Sequence, residues 1–221
     1  LPDTTDVAAA VAVQPDGRIV VAATSSALTA QTELAVVRYD TDGTLDSGFG
    51  AGGFTILRVG SLGDEAHAVI VQPDGKIVVA GVAYNADTDF ELARLNADGT
   101  LDTQFGHAGT TTTDFDGGHD GASALILQSD GRLVATGGAS PSRHATGGTD
   151  FALARYNPDG TLDRSFGKNG RVTADIDGLG ANDAARALAL QPDGRLVAAG
   201  STQISGELAS FQDLAVARFL P

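Results

Sequence analysis

Four times the chain runs an apolar stretch into a glutamine and then turns. The segments are Gln14-Pro15-Asp16-Gly17-Arg18, Gln72-Pro73-Asp74-Gly75-Lys76, Gln128-Ser129-Asp130-Gly131-Arg132 and Gln191-Pro192-Asp193-Gly194-Arg195, spaced by 58, 56 and 63 residues. A second block follows in fixed order. It reads LAVVRYDTDGTLDSGFG from Leu34 to Gly50, LARLNADGTLDTQFG from Leu92 to Gly106 and LARYNPDGTLDRSFG from Leu153 to Gly167. The fourth copy reaches Leu214-Ala215-Val216-Ala217-Arg218-Phe219 and stops there. Self-similarity of this kind means one supersecondary unit repeated in tandem, in which each copy buries its faces against its neighbours.

Each copy reads as four strands. Strand A is the apolar run that ends at the glutamine (Val11 to Val13, Ala68 to Val71, Ala124 to Leu127, Ala187 to Leu190). Pro-Asp-Gly turns it into strand B (Ile19 to Ala23, Ile77 to Ala80, Leu133 to Thr136, Leu196 to Ala199), since proline presets the first turn position and glycine supplies the positive φ. Strand C carries Arg38, Arg94, Arg155 or Arg218. An Asp-Gly turn then leads past Phe-Gly into strand D, expected over Phe54 to Val59, Thr110 to Phe115 and Arg171 to Ile176. The fourth copy lacks strand D, so fifteen strands are expected, and 13 residues before Gln14 leave no room for a whole strand D there.

The hydrophobic pattern selects the architecture. Runs such as Ala68-Val69-Ile70-Val71 and Ile77-Val78-Val79-Ala80 are apolar at consecutive positions, so both faces of the sheet must be covered. A sandwich would show alternation, and the rungs of a parallel β-helix are shorter than this repeat and lack two hairpin turns each. Four-stranded meanders stacked face to face describe an all-β fold, a β-propeller of four blades with the last incomplete. The expected domain is single, 1–221, with repeats at approximately 6–63, 64–119, 120–182 and 183–221.

Composition agrees and excludes other classes. Of 28 acidic residues 24 are Asp, beside 29 Gly, a balance suited to tight turns and poor for helices. A net charge of −14 repels phosphate backbones and anionic lipid, which argues against nucleic-acid partners. No apolar run approaches the roughly 20 residues that span a bilayer, so no membrane insertion is expected. With no Cys, disulfides, thiolate metal sites and Cys nucleophiles are excluded. The start at Leu1 rather than Met suggests a processed or truncated product.

The QPDG[RK] turn, the LAR[YL]-N-x-DGTLD-x-x-FG block and the period near 60 resemble the delta-60 repeat β-propellers of large secreted or surface-attached bacterial proteins, over essentially the whole chain. Two departures stand out: Ser129 replaces proline in the third copy, and the fourth copy ends before its DGTLD turn. The resemblance implies an extracellular or cell-surface setting and a binding or structural scaffold, not a defined chemistry.

The recurring polar residues admit functional and structural readings. Asp40-x-Asp42-Gly43-x-x-Asp46, Asn96-x-Asp98-Gly99-x-x-Asp102 and Asn157-x-Asp159-Gly160-x-x-Asp163 are oxygen-rich enough to invite Ca²⁺. Each offers three side chains against roughly six to eight ligands, so capped turns are expected and no cofactor is required. The strand C arginines read either as an anion-binding ring or as partners of the repeat aspartate, Arg38 with Asp46 and Arg94 with Asp102. Recurrence in every copy favours the structural pair. Phe49, Phe105 and Phe166 read as blade-packing plugs. His67, His107, His119 and His144 fall at different phases and form neither a metal set nor a triad.

Variation is concentrated elsewhere. From the strand A glutamine to the strand C arginine the distances are 24, 22, 27 and 27, and from that arginine to the next glutamine they are 34, 34 and 36. The B–C connections therefore vary most, and in a meander they emerge beside the D–A loops. That end is the candidate binding face, carrying Tyr84, Asn85, Asp87, Asp89, Arg143, His144, Gln203 and Glu207. The expected function is a noncatalytic interaction or structural scaffold with a protein or glycan partner. The alternative is a carbohydrate-binding or hydrolytic propeller with its site on this face. Because the fourth copy lacks strand D, self-association or further blades are expected to cover its open edge.

Overall fold

A computed structural model describes residues 4–27, 31–140, 148–176, 178, 180–205 and 210–220. Among these the chain is all strand, turn and loop, with no helix and hence none long and apolar enough to cross a membrane. The first sheet holds β1 (Thr4–Val13), β2 (Ile19–Ala27), β3 (Thr32–Tyr39) and β4 (Phe54–Leu57). The second holds β5 (Gly63–Val71), β6 (Ile77–Tyr84), β7 (Thr88–Leu95) and β8 (Thr110–Thr113). The third holds β9 (Asp120–Leu127), β10 (Leu133–Ala139), β11 (Asp150–Tyr156) and β12 (Arg171–Ala174). The last sheet has β13 (Asp183–Leu190), β14 (Leu196–Ser205) and β15 (Ser210–Phe219). Within each sheet strand order follows chain order, which is the meander of a β-propeller blade.

The turns fold as their residues dictate. In each A–B hairpin the glutamine N–H bonds the carbonyl four residues on, and Gly17, Gly75, Gly131 and Gly194 take φ of 84–87°, a region open to glycine. Strand A is longer than its apolar run suggests. β1, β5 and β13 each begin before a register shift (Ala8/Ala10, Ala66/Ala68, Ala185/Ala187), so the segment ahead of the bulge presents the other alternation and escapes a period-2 reading. Strand D is shorter than expected, ending at Leu57, Thr113 and Ala174. The backbone leaves the ladder because aspartates take the next amides: Val59 and Gly60 N–H donate to Asp64, Phe115 N–H to Asp120 and Ile176 N–H to Asp183.

By internal packing the chain divides into two compact units, Leu1–Ala86 with Phe90–Thr112, and Asp87–Asp89 with Thr113–Pro221. In the first unit Val20, Ala22, Leu34, Val36 and Phe49 of blade one pack against Ala66, Val69, Ile77, Val79, Ala93 and Leu95 of blade two. In the second unit Val134, Leu153 and Phe166 pack with Leu196, and Phe151 with Ala185, Ala198 and Ala215. Burial on both faces accounts for the unbroken apolar runs.

Candidate functional site

The C–D hairpin carries the motif residues, and they engage one another. Arg38, Arg94 and Arg155 donate through Nε to Asp46, Asp102 and Asp163 at 2.7, 2.8 and 2.9 Å. Both members of each pair are nearly buried. The same guanidinium lies 4.5 Å from the ring centroid of Phe49, Phe105 or Phe166, so the phenylalanine is a stacking platform as well as a plug. A second cation reaches the same carboxylate across the A–B hairpin: Arg18 at 3.5 Å from Asp46, Lys76 at 2.9 Å from Asp102 and Arg132 at 3.1 Å from Asp163. That explains the basic residue closing QPDG[RK], which sequence reasoning left without a role. Against the pull of burial, the Lys76 ammonium, the Gln104 N–H and the Arg94 guanidinium hold Asp102 below the usual carboxylate range.

The turn aspartates are also engaged. Asp42, Asp98 and Asp159 each accept the N–H and hydroxyl of the threonine two residues on, at 2.6–3.0 Å. Asp46, Asp102 and Asp163 use their second oxygen for the N–H of Gly48, Gln104 and Ser165. These are Asx turns that fix the hairpin. Blades one and two are tied at this end, since Gly50 N–H donates to Asp98 O and Thr55 Oγ1 to Gly99 O.

The B–C and D–A connections meet at the opposite end. Asn85 Oδ1 accepts the N–H and hydroxyl of Ser61, and Tyr84 stands beside Glu65, its phenol pushed up to about 12 by burial and by that carboxylate. Asn182 Nδ2 donates to Gln203 Oε1 at 2.8 Å, while Asn182 Oδ1 accepts Thr149 N–H. Of the expected binding face, Tyr84 and Asn85 belong to the first unit and Asp87, Asp89 and Gln203 to the second. Arg143, His144 and Glu207 lie outside the described residues. His67, His107 and His119 are exposed, and His67 is 3.6 Å from Glu65.

Acidic corners at this end were not singled out in the sequence. Asp64 is the second residue of β5, and Asp120 and Asp183 open β9 and β13; the three are spaced 56 and 63 residues apart in step with the glutamines, and that spacing was the available signal. All three are buried. Burial is the main force that pushes Asp120 up to about 7, opposed by the Phe115 N–H and aided by the charge of Asp114 and, more weakly, Asp89. Asp89, Asp114 and Asp120 bring carboxylate oxygens within 4.8 Å of one another, and Asp150, Asp175 and Asp183 repeat the arrangement. In the first unit Asp64 lies beside the fully buried Glu91. Desolvation and the Asp64 charge push Glu91 well above the usual range, so it holds its proton.

No curated protein matches the chain. A solved structure of a protein of unknown function from Bacteroides caccae is similar over 87% of this chain and 70% of its own, at 15% sequence identity and a TM-score of 0.39. The model described as a domain of unknown function (DUF5122) beta-propeller matches residues 14–49, 72–105, 128–166 and 191–221. These four segments each start at the strand A glutamine and together exceed half of the sequence, and the chain belongs to this β-propeller family.

Proposed function

We propose that the chain is a noncatalytic structural and interaction scaffold that works by stacking blades, and that its uncovered blade faces take a second copy of the chain. The observation that carries this reading is a pair of exposed apolar faces of complementary kind. On blade one, Val11 and Val13 are 65% and 67% exposed, and Val21, Val37 and Tyr39 are only partly covered. By register, Val21, Val37 and Tyr39 occupy the positions of Val79, Ala93 and Leu95, the residues with which blade two packs onto blade one. On the last blade, Leu214 and Val216 are 83% and 58% exposed. They occupy the positions of Leu34 and Val36, the residues with which blade one receives blade two. The last blade of one copy thus offers the surface that the first blade of another fits, a head-to-tail contact. Exposed apolar area of this extent marks an interaction surface.

The polar repeat residues support the noncatalytic reading, since the Arg, Asp and Phe of each C–D hairpin are engaged in holding the blade. The QPDG and DGTLD motifs resemble those of delta-60 propellers, and that resemblance supports an extracellular or cell-surface bacterial setting, with a protein or glycan taken on the B–C and D–A end. Sedimentation across a concentration series tests the assembly. Dimers or larger rings are expected, and Val216→Asp, on an exposed strand, should return the chain to monomer. A parent chain that stays monomeric and binds no hydrophobic dye would overturn the reading.

A further inference from the structure

The D–A corner occurs three times, and three side chains define it. One sits five residues before the repeat arginine (Glu33, Asp89, Asp150) and one follows strand D (Arg58, Asp114, Asp175). The third lies at the start of the next strand A (Asp64, Asp120, Asp183). In the first corner the middle position is a cation, and Arg58 Nη2 donates to Glu33 Oε1 at 2.6 Å. In the other two the same position is a third carboxylate, and the three oxygens crowd within 4.8 Å. We propose that Asp89, Asp114 and Asp120, and by repetition Asp150, Asp175 and Asp183, form two Ca²⁺ sites that do for their corners what Arg58 does for the first.

A second observation stands apart from the clustering. Asp120 and Asp183 are 2% and 0% exposed. Each spends Oδ2 on one amide, from Phe115 or Ile176 at 2.6 Å. The other oxygen, Oδ1, is buried and accepts no hydrogen bond. A buried carboxylate oxygen without a donor is costly, and a bound cation removes that cost. The dimensions fit. Oxygens that share a Ca²⁺ ion can lie no farther apart than about twice the Ca–O distance of roughly 2.3–2.6 Å, and the three oxygens of each corner lie within 4.8 Å of one another. The donor set is all carboxylate, with no imidazole or thiolate, which selects a hard cation. Asp116 and Asp177 add an aspartate two residues beyond Asp114 and Asp175, where the first corner has Gly60; Asp177 lies outside the described residues. This inference concerns the corners alone and does not rest on the scaffold reading.

Calorimetric titration of the chelator-treated chain with Ca²⁺ tests it, with thermal melts in Ca²⁺ or in NaCl of equal ionic strength. Two equivalents should bind, and Ca²⁺ should raise the melting temperature where NaCl does not. Asp114→Asn and Asp175→Asn alter exposed side chains and keep an acceptor for the Gly117 and Gly178 amides. Each should remove one equivalent, and together they should abolish both binding and the Ca²⁺-dependent rise. Asp114→Arg, which imports the first corner's arrangement, should also remove one equivalent while the chain stays folded by circular dichroism. Absence of uptake by the parent, uptake that survives the double Asn variant, or a rise that NaCl reproduces would each overturn the proposal.

Discussion

Replacing Arg94 by Ala removes an ion pair and a ring contact at one point. The side chain is 8% exposed, donates to Asp102 at 2.8 Å and lies over Phe105 at 4.5 Å. Breaking a buried pair from one side costs about 3–5 kcal/mol, and loss of the ring contact adds about 1 kcal/mol. Part of this is returned, because Asp102 keeps Lys76 at 2.9 Å and the Gln104 amide. A net loss of about 3 kcal/mol follows, which for a chain of this size lowers the melting temperature by roughly 6–12 °C. Lys76, partly exposed on the same carboxylate, should cost no more than about 1 kcal/mol when replaced by Ala. Urea unfolding of the parent, Arg94→Ala, Asp102→Ala and the double variant closes a cycle, and its interaction energy should exceed about 1 kcal/mol. If Arg94→Ala unfolds within about 0.5 kcal/mol of the parent, or if the cycle shows no coupling, the pair does not hold the hairpin and the structural reading of the motif is wrong.

Two further outcomes can be checked with the same measurements. Glu91 keeps its proton in the fold but ionises above about 4.5 when unfolded, so it makes stability fall as pH rises from there toward its higher folded value. Urea midpoints of Glu91→Gln at acid and neutral pH should show that decline flattened, and an unchanged slope refutes the buried neutral glutamate. A Cβ on Gly137 would stand 1.8 Å from the Gly121 carbonyl oxygen across the β9–β10 bulge, so Gly137→Ala should cost about 3 kcal/mol or more; a neutral effect would mean that the bulge is not fixed as described.

What could be read in advance follows from the range of each interaction. The hairpins and the Arg–Asp pairs lie within one repeat, eight residues apart in sequence, and recur with it, so spacing alone exposed them. The second cation did not show. Arg18, Lys76 and Arg132 reach Asp46, Asp102 and Asp163 through the register of three strands, which no short window contains. The apolar pattern outruns strand D because Val59, Phe115 and Ile176 continue it while their amides are taken by aspartates on the next strand. The corners are hidden for a related reason: Asp120 and Asp183 precede the apolar run of strand A, outside the stretch whose hydrophobic period marks the strand. Glu91 sits inside the apolar DFELAR stretch, where a glutamate reads as an outward-facing residue, although the fold buries it completely against Asp64.

The two ends of the blades use their charges differently. At the A–B and C–D end every repeat aspartate is met by arginine, a second cation or a turn amide, so substitution there unlocks a hairpin. At the B–C and D–A end the ties differ from blade to blade, Asn85 with Ser61 in one place, Asn182 with Gln203 and Thr149 in another, Arg58 with Glu33 in a third, and the corner residue is arginine once and aspartate twice. Each blade thus keeps its A–B and C–D hairpins constant for folding and varies its B–C and D–A connections, which is where loops in repeat folds tolerate change.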